Sequence, residues 1–192
     1  MENSIQSLIN DEMSGEIIKA VQEMAMIEGA HTVTVSRVLQ KLDITNRVFY
    51  NRFHNINEVL EIVYKDAVYK MHESLQSEFD DKKDFFEYVM DVCVKVLINT
   101  YDIKKQFSRY MFEHDSLKEF NYNWWTDEIK KLIETATKSG LIKDVDADVL
   151  SYTIWCCCRG VNTDAVCRNL SKEEAVKRFK YGFGCFLQGI KK

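Results

Sequence analysis

The sequence predicts an all-α fold, and three observations predict it. There is no proline among the 192 residues, where average usage of about 5% would supply roughly ten. Proline breaks helix interiors and is common in the turns of β-rich folds, so its absence favours helix throughout. Glycine is scarce too, at seven residues. Helix-start signals followed by apolar residues at a period of 3.6 recur along the whole chain, giving about nine helices in total.

The elements follow in order. Ser14 is placed to cap a first helix, with Met13 and Ile18 as a hydrophobic staple; Ile17, Val21, Met24 and Ala25 form its core face and Gly29 stops it. Thr34 caps a short second helix with Val35, Val38, Leu39 and Leu42 inward, and Val33 and Val38 as staple. Only Asp43 and Ile44 separate Leu42 from Thr45, which caps a third helix stapled by Ile44 and Phe49 and anchored by Phe49 and Phe53. Two short helices with so tight a turn must cross steeply, which is the helix-turn-helix arrangement. Asn55 and Glu58 form a capping box that opens a long fourth helix, with Leu60, Val63, Ala67, Met71, Leu75 and Phe79 on one stripe.

Asp84 and Glu87 form a second box, ahead of Phe85, Val89, Val92, Cys93, Val96 and Leu97. A less regular helix around Ile103 to Phe112 follows, then one from about Asn121 to Ser139 that ends at Gly140. Asp146 caps a helix running to about Arg168, and Ser171 with Glu174 starts the last one, carrying Val176, Phe179, Phe183, Phe186 and Ile190. There is no internal repeat, low-complexity tract or long linker. The organisation expected is a helix-turn-helix domain over residues 1–56 and a larger helical domain over 57–192.

Composition excludes several classes. Hydrophobic residues at 46% and charged residues at 29% are those of a globular chain rather than a disordered one. No apolar run approaches the roughly 18 residues of a membrane span. The polar, acidic start resembles no secretory signal, so a cytoplasmic location with reduced thiols is expected for the six cysteines.

Net charge is −4, yet the charge is uneven. Residues 1–30 set Lys19 against Glu2, Asp11, Glu12, Glu16, Glu23 and Glu28, whereas residues 31–56 carry Arg37, Lys41, Arg47 and Arg52 against Asp43 alone. A cationic island in an anionic chain is where phosphate contacts belong. Helical spacing puts Asn46, Arg47, Tyr50 and Asn51 on the outer side of the third helix while Phe49 and Phe53 face inward. Arginine pairs bidentately with guanine and asparagine with adenine, so Arg47, Asn46 and Asn51 are candidate base readers. Thr34, Thr45 and Tyr50 offer hydroxyls to the DNA backbone, and Arg37 and Arg52 add charge there.

The stretch Thr34-Val-Ser-Arg-Val-Leu-Gln-Lys-Leu-Asp-Ile-Thr-Asn-Arg-Val-Phe-Tyr-Asn-Arg-Phe-His-Asn-Ile-Asn-Glu-Val-Leu60 resembles the signature of the TetR family of transcription regulators. Thr34, Val38, Ile44, Thr45, Phe49, Tyr50, Phe53, Val59 and Leu60 match it identically or conservatively, in register and without a gap. Four positions depart: Asp43 stands for the turn glycine, Leu39 and Leu42 for small alanines, and Ile56 for a phosphate-gripping lysine. Losing that one ionic contact is expected to lower the salt slope of DNA binding by about 0.9. The resemblance implies a homodimer that binds a palindromic operator on double-stranded DNA, acts as a repressor, and releases DNA when a small-molecule effector enters the second domain. It also implies that the last two helices pair with a second subunit. Cys157, Gly160, Val161, Phe179, Gly182, Phe183 and Phe186 are the interface residues expected.

Phe86, Phe107, Tyr110, Trp124, Trp125, Tyr152 and Trp155 are the candidates for an effector pocket, although filling the core is the commoner role for any single one. Cys156, Cys157 and Cys158 are consecutive, so on a helix they point about 100° apart and cannot share a zinc ion. Small buried side chains are their expected role; a thiol-responsive regulator is one alternative, and a helical interaction module without DNA binding is the other. His114 beside Asp115 lacks a nucleophile motif, and His31, His54 and His72 lack ligand spacing, so no enzyme, metal or cofactor is expected.

Overall fold

The computed structural model describes residues 8–75, 84–103 and 105–192, and among them the chain is all-α. Nine α-helices run in order: α1 Glu12–Glu28, α2 Val35–Leu42, α3 Asn46–Tyr50, α4 Ile56–Leu75, α5 Phe85–Asp102, α6 Lys105–Leu117, α7 Glu119–Lys138, α8 Ala147–Cys167 and α9 Lys172–Ile190, with a 3₁₀ turn at Ala30–Thr32. They form two compact units, Met1–Lys70 and Met71–Lys192. The first unit therefore takes in most of α4, which the sequence reading assigns to the second domain from residue 57. Burial explains the extension, since Val59, Val63, Tyr64 and Val68 on α4 are all 1% exposed or less.

In the first unit α1 begins earlier than its expected cap. Asp11 is the N-cap and Ser14 is the third helical residue: Asp11 Oδ1 accepts the Ser14 N–H at 3.1 Å, and the Asp11 N–H donates to Ser14 Oγ at 3.2 Å. Aspartate caps as well as serine, and the reciprocal pair satisfies two amide donors at once. Gly29, at φ 101°, ends the helix in a conformation closed to other residues. Thr34 caps α2 by accepting the Arg37 N–H. Asp43 takes the left-handed conformation, φ 52°, that the turn to α3 requires. Val38 and Phe49 are completely buried and Phe53 nearly so, which locks α2 against α3. On α4, Tyr64 and Val68 are fully buried while Ala67 and Met71 are half-buried, so the buried stripe is rotated from the expected one; Phe79 lies outside the described residues. Asn55 Oδ1 accepts the Glu58 N–H at 3.0 Å, and Glu58 reaches back to the His54 N–H.

In the second unit Asp84 caps α5 by accepting the Phe86 and Glu87 N–H groups, Asp146 caps α8, and Ser171 caps α9. The core joins Phe85, Leu97, Ile133, Ile154, Phe183 and Leu187. Along α9, Phe179, Phe183 and Phe186 stack at 5.1 and 5.7 Å, the i, i+4 and i, i+3 spacings of one helix face. The chain end is tied back by the Lys143 N–H, which donates to the Ile190 carbonyl at 2.9 Å. Phe179 and Phe183 are each 2% exposed within the chain itself, which corrects their expected place in a subunit interface: they fill this unit's own core.

Candidate functional site

The outer surface of α3 is built by subtraction. Phe49 is buried and edge-on to Tyr50, with ring centroids 5.4 Å apart, and Val48 is half-buried beside it, which leaves the other residues of the short helix facing out. Thr45, Asn46 and Arg47 are exposed, and Tyr50 is half exposed at 51%. Asn51 is half-buried just past the helix end, its carbonyl accepting the Ile9 N–H.

The basic island does not survive intact. Arg37 is bound twice by Glu28, at 2.7 and 2.8 Å, and donates to the Thr32 carbonyl. Lys41 pairs with Glu23 at 2.9 Å. Arg52 is clamped by Asp11, with its Nε at 2.8 Å, and donates to the Val48 carbonyl; its side chain is only 12% exposed. The Arg52 guanidinium holds the Asp11 carboxyl far below the usual carboxylate range. The expected phosphate contacts of Arg37 and Arg52 are corrected accordingly, because both hold the unit together. Among the described residues, Arg47 is the cation of the island with no ion-pair partner. Glu23 and Glu28 of α1 and its cap residue Asp11 are the carboxylates that pair with the island's other cations.

The second unit encloses a cavity of about 260 Å³ whose wall is mostly apolar. It is lined from the end of α4 and from α5 to α9, by Leu75, Phe85, Val92, Val96, Met111, Ile133 and Leu187 among others. Trp124, Trp125 and Trp155, which are all three tryptophans of the chain, lie in its wall. The other four expected pocket residues do not. Phe86 turns away from the cavity, under Lys191, and Phe85 takes its place. Phe107 is fully buried against Tyr110, and the next residues on α6, Met111 and Phe112, face the cavity instead. Tyr152 is 55% exposed. The misses at Phe86, Phe107 and Tyr110 are one-step errors in helix phase, which aromatic identity alone does not reveal.

Most polar groups on the wall are already paired. Asn121 donates to the Asp115 carboxylate at 3.2 Å and accepts from His72 Nε2 at 2.9 Å, which fixes the tautomer of that ring. His72 is buried and stacked on Trp124 at 3.6 Å; burial lowers its pKa, with the bond to Asn121 and the charge of Glu128 acting the other way. Glu128 is exposed and pairs with Lys131 at 2.7 Å. Two atoms remain without a partner, Arg159 Nε and Asn162 Oδ1, both buried and both on cavity-lining residues.

The three consecutive cysteines diverge as expected: Cys156 is exposed, Cys157 packs on the core, and Cys158 meets Cys93 of α5 in the cavity wall, with the sulfurs 3.9 Å apart. The hydrogen bond to Cys93 and burial push the Cys158 thiol up, and burial pushes Cys157 up, so both stay protonated. The thiolate is the reactive form, so this environment works against a sensor built on these two. Among the described residues no group of three or more histidine, cysteine or acidic side chains gathers as metal ligands, and no helix is long and apolar enough to cross a membrane.

No protein-family model and no curated protein matches the sequence. Solved structures do match the fold. A TetR-family transcriptional regulator from Pectobacterium atrosepticum superposes with a TM-score of 0.76 at 13% identity, covering 94% of each chain. SmeT, the repressor of the Stenotrophomonas maltophilia multidrug efflux pump SmeDEF, does so at 0.74 and 14%, covering 93% of this chain and 90% of SmeT. A candidate transcriptional regulator from Saccharomonospora viridis in complex with choline gives 0.68 and 17%, covering 90% and 97%. The fold is that of the TetR-family regulators.

Proposed function

We propose that the chain is a DNA-binding transcription regulator, a homodimer that reads a palindromic operator and releases it when a small molecule occupies the helical unit. The observation that carries the reading is the surface of α3. Asn46, Arg47 and Tyr50 stand exposed on a helix whose other face is anchored by Phe49, and the island's other cations are occupied within the fold. Arg47 supplies the fork that recognises guanine, Asn46 the amide that recognises adenine, and Tyr50 and Thr45 hydroxyls for the phosphates. The shared fold with regulators such as SmeT supports repression as the mode of action.

The dimer face follows from what α8 and α9 leave outside. Val149, Tyr152, Cys156 and Gly160 form an exposed stripe on α8, and Tyr181, Gly182, Cys185 and Gly189 one on α9. Two-fold pairing of these stripes would present two copies of α3 to two half-sites about one DNA turn apart. Of the interface residues expected from sequence, Gly160 and Gly182 stay on this face, while Cys157, Val161 and Phe186 pack partly against the core. An effector acts only through a difference in affinity between the DNA-bound and released states.

The test is selection from a random duplex pool at low salt, with the double variant Arg47→Ala, Tyr50→Ala as control. Enrichment of an inverted repeat by the native chain alone is the expected result. Enrichment of nothing, or equal enrichment by the variant, removes DNA reading and leaves a helical interaction module.

A further inference from the structure

We infer that the cavity takes a small amphipathic anion, a monocarboxylate with an apolar body, and that Arg159 holds its head group. The inference rests on the cavity being a ligand site. Arg159 donates through Nη2 to the Phe112 carbonyl and to Ser116 Oγ, both neutral acceptors, and has no carboxylate partner among the described residues. Its Nε–H is buried and unpartnered. Arg159 is half-buried, so part of a permanent positive charge faces a mostly apolar wall. Asn162 follows three residues later on the same face of α8, is 7% exposed, and leaves its Oδ1 unpartnered as well. Buried polar atoms normally have partners, and each exception calls for an explanation.

A carboxylate supplies the acceptor and the negative charge that Arg159 lacks. Asn162 Oδ1 is itself an acceptor, so its partner is a donor and not the carboxylate. The remaining wall is written for an apolar body: Val92, Val96, Ile133 and the three tryptophans offer no competing charge. The rival occupant is an organic cation held by the indoles and acidic groups, as aromatic cages hold quaternary ammonium. Glu128 is neutralised by Lys131, whereas Asp115 is bonded by the neutral Asn121 amide and keeps its charge, so the titration sets a cation against the anion. At about 260 Å³ the space lies just under the usual range for ligand pockets, about 300–1,000 Å³, so it suits a compact molecule.

The experiment titrates the full chain, without DNA, with octanoate, 1-octanol and octyltrimethylammonium. Tryptophan fluorescence is the readout, since every indole lies in the wall. Octanoate should bind about tenfold or more tighter than octanol, the usual worth of a hydrogen bond to a charged group. Arg159→Met should bring octanoate down to the level of octanol and leave octanol binding, with the helical circular dichroism, unchanged. Arg159→Lys should retain part of the preference. Equal binding of octanoate and octanol by the native chain overturns the inference, as does tightest binding of the ammonium, or binding of none of the three. Because no DNA is present, a negative result here leaves the operator-reading proposal standing. A failed operator selection likewise leaves the ligand result untouched.

Discussion

The two units solve opposite problems with the same helical material. The first, Met1–Lys70, is solid: Ile17, Val21, Val38, Phe49, Tyr64 and Val68 are each completely buried, and three of its cations are clamped by carboxylates of α1 and its flanks. The second, Met71–Lys192, is hollow: its helices meet around about 260 Å³ of space and leave an arginine and an asparagine atom in the wall without partners. A surface that must present a few side chains at fixed angles gains from a rigid scaffold. A site that must accept a molecule gains from stability left unspent.

The sharpest break of that comparison is truncation. Phe49→Ala should destabilise the first unit by about 3–5 kcal/mol, because a fully packed site cannot collapse around the void. Trp155→Ala, at the cavity wall, should cost clearly less. Urea midpoints of the two variants measure this, and equal losses would mean the second unit is as tightly packed as the first. Adding volume probes the same contrast from the other side. Val38→Leu inserts a methylene where nothing is free and should cost about 1–3 kcal/mol, whereas Val96→Leu fills empty space and should be near neutral while weakening any ligand that uses it.

A smaller effect belongs to the turn. Asp43→Ala should lose about 1 kcal/mol by placing a residue without a local hydrogen-bonding side chain in the left-handed region, while Asp43→Gly should be nearly silent. Thermal midpoints decide between strain at this φ and a specific role for the carboxylate.

Acid gives the smallest and most selective effect. His72 has its pKa lowered by burial, so the folded second unit binds fewer protons than the unfolded one. The stability this contributes is complete above the unfolded value of about 6.5 and is lost as pH falls toward the folded one. Asp11 is also depressed, so its contribution is complete above about pH 4 and is lost only below it. On acidification, hydrogen exchange should therefore loosen the His72 region first, and His72→Gln should remove that early phase. Simultaneous loosening of both units would contradict the assignment.

Much of the first unit was legible because its signals are local. Thr34, Asp43 and Asn55 mark caps and turns by their own chemistry, whereas Thr45 stands at the start of α3 without a side-chain capping bond, and Val38, Phe49 and Phe53 mark the inward face by spacing. The phase errors lie elsewhere. Ser14 yielded the cap to Asp11, Phe86 yielded the cavity to Phe85, and Tyr110 yielded it to Met111 and Phe112, each a shift of one to three residues along a helix. A period of 3.6 fixes an apolar stripe to within about one residue, and a neighbouring helix settles the remainder.

The sequence by itself determined the all-α class, the helix order, the helix-turn-helix and the outward placement of Asn46, Arg47 and Tyr50, because each depends on contacts within a few turns of chain. Only the tertiary structure decided that Arg37, Lys41 and Arg52 are spoken for, that Phe179 and Phe183 are core rather than interface, and that the inward stripe of α5 borders a space instead of a neighbour. The physical reason is common to all three. Periodicity states which way a side chain points, but whether a partner, a core or a cavity meets it depends on residues distant in sequence.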